Sequence, residues 1–185
     1  MKVGGTVEVD GAYFGGHIRP SNWTENRVDR RLAINQTGKR RVVVIMRERG
    51  GRTLPFFFKS EAESIATIEA RVDANATIHA EEAAHWDNLA TFYLTKRINH
   101  QESYSDGEAC TNQAESSFSR LRRAEIGTHH HISRRYLNAY ASEMAWREDH
   151  RRVSNGEQFL IATNAALAHP VGRQWKGYWQ RLHKR

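Results

Sequence analysis

Alternating hydrophobic and polar positions dominate the first half of the chain. Val7 and Val9 alternate with polar residues, and the run continues through Phe14 to a glycine, which is typical of a strand that ends in a turn. A β-branched run at residues 42–45 is typical of a buried strand, and another apolar run follows the two glycines at residues 50–51. These patterns predict four strands, at residues 6–14, 40–47, 53–58 and 76–80.

Helical spacing of apolar residues appears between and after these strands. Ser60 and Glu63 have the spacing of a capping box, which predicts the start of a helix. A second helix is predicted at residues 82–94, directly after the fourth strand, and two more at residues 112–123 and 136–151. Strands with helices threaded between them, followed by helices alone, predict an α/β domain. In it, helices flank a mixed sheet, and the C-terminal part is helical.

The charge of the chain suggests a polyanionic partner. The 185 residues carry a formal net charge of +7, and residues 17–52 contain ten Lys or Arg against three acids. Residues 173–185 contain five Lys or Arg, no acid and three interleaved aromatic residues. Such a mixture suits contact with phosphate and stacking on bases, but a solvated basic face over an aromatic core fits the same composition.

Counts of cysteine and of apolar residues exclude several classes of protein. A single cysteine, Cys110, cannot form an internal disulfide or a four-cysteine zinc site, which fits a reducing compartment. No stretch reaches the roughly 20 apolar residues of a membrane helix, and the first residues carry acids where a signal peptide is apolar. We therefore expect a cytoplasmic protein whose chemistry comes from carboxylates, amides, His and Arg.

A set of oxygen-bearing side chains falls on two of the predicted strands and on a later helix. Asp10 lies among apolar residues of the first strand, Glu81 ends the fourth, and Asn112 and Glu115 share a helix face because they are three residues apart. If these groups converge at the edge of the sheet, they suit Mg²⁺ or Mn²⁺. Two such ions would activate water or a 3′ hydroxyl for phosphodiester displacement. Taken alone, Asp10 fits a hydrogen-bonded structural residue equally well.

Five segments together resemble the DDE-type insertion-sequence transposases of the fifteen-ninety-five family. They cover essentially the whole chain in the order of the family: VEVDGAYFGG at 7–16, INHQESYSDGEACTNQAESSFSRLRR at 98–123, GTHHHIS at 127–133, AWREDHRR at 145–152 and WKGYWQR at 175–181. The resemblance implies an RNase H-like catalytic domain that cuts DNA at transposon ends and joins the freed 3′ ends to a target. We place this domain at residues 1–152 and a basic, aromatic extension at residues 153–185.

The resemblance also implies roles for individual residues. Asp10 matches the first catalytic aspartate, Glu81 stands at the second catalytic position, and Asn112 in TNQAE matches the third, with Glu115 as a further polar residue of that motif. The implied ligands of Mg²⁺ or Mn²⁺ are Asp10, Glu81 and Asn112, and which of Asn112 and Glu115 completes the site stays open. The residues expected to contact double-stranded DNA are all basic: Arg122, Arg123, Arg151, Arg152, Lys176 and Arg181.

The chain departs from the family pattern in two places. Relatives have aspartate in a pattern like HADE, whereas this chain reads HAEE, so that Glu81 takes the place of an aspartate. The added methylene moves the carboxylate by roughly an ångström, and a displacement of that order can cost about a hundredfold in rate. Relatives also have an N-terminal zinc ribbon or helix-turn-helix, and this chain begins almost at the first catalytic strand, as a catalytic part without its recognition region would.

Three functions are compatible with these features. The first is an active transposase, which the resemblance implies works on transposon ends as a homodimer in a synaptic complex. The second is a remnant that binds DNA but does no chemistry. The third is a nuclease that nicks DNA without joining it. Salt-sensitive DNA binding without Mg²⁺-dependent nicking would favour the remnant.

Overall fold

A single five-stranded sheet organises the described part of the chain. The computed structural model describes residues 2–15, 21–29, 33–35, 38, 40–81, 83–98 and 110–170. The strands are β1 (Thr6–Phe14), β2 (Arg41–Glu48), β3 (Thr53–Phe58), β4 (Thr77–Glu81) and β5 (Leu94–Ile98). All four predicted strands are confirmed, each within one residue of its predicted bounds.

The order of the strands in the sheet is β3-β2-β1-β4-β5. β1 and β3 both pair antiparallel with β2, whereas β4 pairs parallel with β1 and with β5. Gly50 has a φ of 72°, a conformation that favours glycine, and it lies in the predicted turn between β2 and β3. This mixed sheet flanked by helices is the α/β, RNase H-like fold that the sequence predicts.

The described residues form four α-helices: α1 (Ile65–Arg71), α2 (Asn112–Arg123), α3 (Leu137–Asp149) and α4 (Asn155–Ala168). Contacts divide the chain into two units, Met1–Asp149 and His150–Arg185, and the sheet lies in the first. In the second unit, α4 begins with a complete capping box between Ser154 and Glu157. None of the described helices is long and apolar enough to cross a membrane.

The predicted capping box at Ser60 is wrong. The Ser60 side chain makes no capping hydrogen bond, and a 3₁₀ turn, Glu61–Ser64, precedes α1. The carboxylate of Glu63 instead accepts a hydrogen bond from the backbone N–H of Lys59, at 3.0 Å. The sequence spacing marks the right place for a helical segment but not the partner of the glutamate.

The predicted helix at residues 82–94 is confirmed only in part. A 3₁₀ helix, Ala84–Thr91, occupies most of this segment, and β5 follows it. β5 lies at the edge of the sheet and has one buried residue, Ile98. Its sequence therefore lacks the strong alternation by which the other strands are recognised.

Residues of β1 alternate between two hydrophobic cores. Val7 and Val9 belong to the core that contains Ile68 of α1, whereas Ala12 belongs to the core formed with α2 and α3. Because side chains alternate along a strand, Glu8 and Asp10 share the face of Ala12. Two carboxylates of the central strand thus lie on the side of the sheet that α2 and α3 cover.

Candidate active site

The pairing of β1 with β4 places two predicted site residues side by side. Val9 lies opposite Ala80 in this parallel pair, so Asp10 and Glu81 follow next on the two strands. Asp10 is only 6% exposed, and Glu81, the last residue of β4, is half-buried. The sheet therefore brings the first and second predicted catalytic residues together, one in the middle of β1 and the other at the carboxyl end of β4.

The surroundings of Asp10 raise its pKa from 3.8 to about 7. Burial makes the largest contribution, and the negative charge of Glu81 makes the next. The backbone N–H of Gly11 donates to Asp10 Oδ1 at 2.7 Å, which lowers the pKa, while the charges of Glu115 and Glu61 raise it further. Four acidic side chains therefore act on one another in this region.

The structure distinguishes the two polar residues of the third motif. Asn112 is exposed as the first residue of α2, whereas Glu115, one turn further on, is half-buried and contributes to the pKa of Asp10. The Thr111 hydroxyl donates to Glu115 Oε1 at 3.3 Å. Of the two, only Glu115 carries a charge, and this charge raises the pKa of Asp10.

A buried carboxylate that the sequence reasoning missed holds α2 against the sheet. Glu8 is fully buried, and its Oε2 accepts hydrogen bonds from the backbone N–H groups of Gln113 and Ala114, at 2.8 and 3.1 Å. These groups lie in the first turn of α2, where backbone N–H groups have no partner within the helix. No signal in the sequence marks this burial, because an acid that alternates with Val7 and Val9 is the ordinary pattern of a strand with one solvated face.

Arg49 balances the charge of Glu8 and joins it to a neighbouring histidine. Its Nε donates to Glu8 Oε1 at 2.9 Å, and its Nη2 lies 3.1 Å from His79 Nδ1 and 3.2 Å from the carbonyl oxygen of Cys110. Burial, followed by the charge of Arg49, lowers the pKa of His79. A neutral His79 can accept at Nδ1, where the backbone N–H of Cys110 also donates at 3.2 Å. The segment that leads into α2 is thus tied to β1 and β4.

Glu61 is a second acid that the sequence reasoning missed. Its carboxylate fills the space beside Gly11, where an added Cβ would lie 2.7 Å from Glu61 Oε1. Its Oε2 forms an ion pair with His85 Nε2 at 2.8 Å. Burial raises the pKa of Glu61 most, the charge of His85 lowers it, and the charge of Glu81 raises it. The glycine that follows Asp10 was the only signal in the sequence that a side chain approaches β1 here.

The family match extends across the whole first unit. Residues 2–149 of the 185-residue chain match the ISXO2-like transposase domain family. The chain belongs to this family. No curated protein and no solved structure matches it. The family resemblance seen in the motifs is therefore confirmed, and the family implies DNA as the substrate of this transposase domain.

The six basic residues predicted to contact DNA include two on α2, two in the second unit and two outside the described residues. Arg122 and Arg123 are exposed at the end of α2, and the Arg122 guanidinium lies 5.9 Å from the centre of the Phe14 ring. Arg151 and Arg152 are exposed in the second unit, ahead of α4. Two predicted residues lie outside the described part: Lys176 and Arg181. All six remain predictions as DNA contacts.

Proposed function

We propose that this chain is the catalytic domain of an insertion-sequence transposase that cleaves DNA strands and joins their 3′ ends by metal-dependent phosphodiester chemistry. The observation that carries the proposal is the position of Asp10. It lies buried on the central strand, beside Glu81 of the neighbouring parallel strand, and the charge of Glu115 from α2 also acts on it. A carboxylate in such surroundings is a candidate functional residue, because its burial without a compensating positive charge costs free energy.

The residues around Asp10 suit Mg²⁺ or Mn²⁺. The donors are carboxylate oxygens, which these hard cations prefer, and a cation would offset the repulsion that raises the pKa of Asp10. As the side chains stand, no three His, Cys, Asp or Glu among the described residues are grouped closely enough to hold an ion. To hold an ion together with Asp10, the side chains of Glu81 and Glu115 would have to lie closer to it.

Asp10, Glu81 and Glu115 would hold the ions, and Asn112 remains the family-based alternative for the third ligand. Bound divalent cations activate water or a 3′ hydroxyl and stabilise the leaving oxygen of the displacement. The chain itself fixes one oxygen of Asp10 through the Gly11 N–H, and it fixes the first turn of α2 through Glu8. Arg122 and Arg123 supply positive charge for the DNA backbone.

Glu81 is expected to limit the rate of this reaction. Its side chain is one methylene longer than the aspartate of relatives, so the Glu81→Asp variant is expected to cleave transposon-end DNA faster, by up to about a hundredfold. The measurement is the rate of nicking of a labelled transposon-end duplex in Mg²⁺ and in Mn²⁺. Equal and rapid cleavage by both proteins would show that the added methylene does not matter.

The rival function is a remnant that binds DNA without cutting it, and the substitution at Glu81 is the observation that favours it. The matched control is Glu69→Asp, which makes the same substitution on α1, at a residue whose charge is not among those that shift the pKa of Asp10 or of Glu61. Mg²⁺-dependent nicking that Asp10→Ala abolishes and Glu69→Asp leaves unchanged supports the enzyme. Salt-sensitive binding with no nicking by the wild type or by Glu81→Asp supports the remnant. Nicks without joined products would identify a nuclease.

A further inference from the structure

A basic cavity lies at the far end of β1, away from the hairpin of β2 and β3. Its volume is about 540 Å³, and its lining residues are Tyr13, Gly38, Arg40, Arg41 and Lys59. Three of these side chains carry a positive charge at neutral pH. None of the five is among the residues expected from the sequence to contact DNA, although Arg40 and Arg41 belong to the basic segment at residues 17–52.

Both arginines of the cavity are held in place by backbone oxygens. Arg40 Nη2 donates to the carbonyl oxygen of Tyr13 at 2.9 Å, and its guanidinium lies 5.8 Å from the centre of the Tyr13 ring. Arg41 Nη1 donates to the carbonyl oxygens of Gly38 and Arg40, at 2.9 and 2.7 Å. A guanidinium has five N–H donors, so donors remain on each arginine for a ligand. Fixed guanidinium groups also lose less conformational entropy when they bind.

The side chains of the cavity point to an anionic ligand with several acceptor oxygens. Arginine pairs with phosphate through two parallel hydrogen bonds, and lysine adds a point charge. The Tyr13 side chain is 40% exposed; burial and the charge of Glu61 raise the pKa of its hydroxyl, which Arg40 lowers. Glu61, whose negative charge raises the pKa of this hydroxyl, is itself paired with His85.

The cavity lies further along β1 than Asp10. Tyr13 is three residues beyond Asp10, which is roughly 10 Å in a strand. Because side chains alternate along a strand, the Tyr13 side chain faces the side of the sheet opposite to Asp10. The side chain of Tyr13 is therefore separate from the group of acids around Asp10.

We propose that the cavity lined by Tyr13, Arg40, Arg41 and Lys59 binds a backbone phosphate of the substrate DNA. The inference rests on the proposed function for the choice of DNA as the source of the phosphate. It adds a second region of DNA contact, separate from Arg122 and Arg123 on α2.

The test is DNA binding by an Arg40→Gln/Lys59→Gln double variant. Fluorescence anisotropy of a labelled duplex is measured in EDTA over a range of salt concentrations, so that cleavage does not enter. We expect roughly tenfold weaker binding and a shallower salt dependence, with a slope smaller by about one for each phosphate that the variant no longer binds. The matched control is Lys2→Gln/Arg52→Gln, which removes the same charge from residues ahead of β1 and beside the turn between β2 and β3. It is expected to retain the wild-type slope.

Several results would overturn the inference. One is wild-type affinity and slope in the Arg40→Gln/Lys59→Gln variant, and another is an equal loss in both double variants, since that would be a general effect of net charge. Tight binding of inorganic phosphate or of a mononucleotide, lost in the cavity variant while DNA affinity is kept, would assign the cavity to a free ligand. If the double variant does not fold, the single Lys59→Gln variant serves, because its ammonium group makes none of the backbone contacts described above.

The inference and the proposed function can fail separately. If the wild type does not cleave DNA but the cavity variant binds DNA more weakly than its control, the inference stands and the proposed chemistry is removed. If the wild type cleaves DNA in Mg²⁺ but the cavity variant binds DNA as well as its control does, only the inference is removed. Binding in EDTA and nicking in Mg²⁺ are therefore both measured on every variant.

Discussion

The Asp10→Asn variant is expected to be more stable than the wild type above neutral pH in EDTA, and to have lost all metal-dependent cleavage. The pKa of Asp10 is 3.8 without the fold and about 7 within it. Below the lower value the carboxyl group is protonated in both states and costs nothing. Between the two values the unfolded chain releases the proton and the folded chain keeps it, so stability falls as the pH rises and the full cost is present above pH 7.

The size of this effect follows from the pKa shift. One pKa unit corresponds to about 1.4 kcal/mol, so the wild type is expected to lose roughly 3 kcal/mol more than Asp10→Asn between about pH 5 and pH 8. Urea unfolding at several pH values in EDTA measures the difference. The control is Asp87→Asn, the same substitution at a side chain that is 66% exposed. Mg²⁺ is expected to restore stability to the wild type and not to Asp10→Asn. Parallel pH profiles for the two proteins would contradict the prediction.

The Glu8→Ala variant is expected to lose about 3 kcal/mol of unfolding free energy, because buried backbone N–H groups are left without their acceptor. It removes the carboxylate partner of Arg49 and the acceptor for the first N–H groups of α2. Urea unfolding measures the loss. Amide hydrogen exchange at Gln113 and Ala114 reports the loosening of the helix start.

Two further variants make the Glu8 prediction specific. Glu8→Gln keeps an acceptor oxygen without the charge and is expected to fall between the wild type and Glu8→Ala. Glu63→Ala removes an exposed carboxylate that accepts one backbone hydrogen bond, and it is expected to cost no more than about 1 kcal/mol. Slow exchange at Gln113 in Glu8→Ala, with stability like that of Glu63→Ala, would show that Glu8 does not hold α2.

The placement of the acids shows where sequence reasoning reached its limit. Asp10 and Glu81 are predicted from their places among the apolar residues of β1 and at the end of β4, together with the family motif. For the third position the sequence left both Asn112 and Glu115 open, since helical spacing puts them on one face. The electrostatic interaction of Glu115 with Asp10 depends on how α2 lies on the sheet, and Glu8 and Arg49 hold that helix from residues far away in the chain.

Sequence alone determined the family, the four strands that carry strong alternation and the helices α2 and α3, because these depend on residue patterns of short range. The tertiary structure decided that β4 lies beside β1, that β5 forms an edge, and that Glu61 and Glu8 join the region of Asp10. It also placed Arg40, Arg41 and Lys59 around one cavity. The physical reason is that periodicity fixes which side of an element is buried, whereas the neighbours of that side follow from pairings between strands distant in sequence.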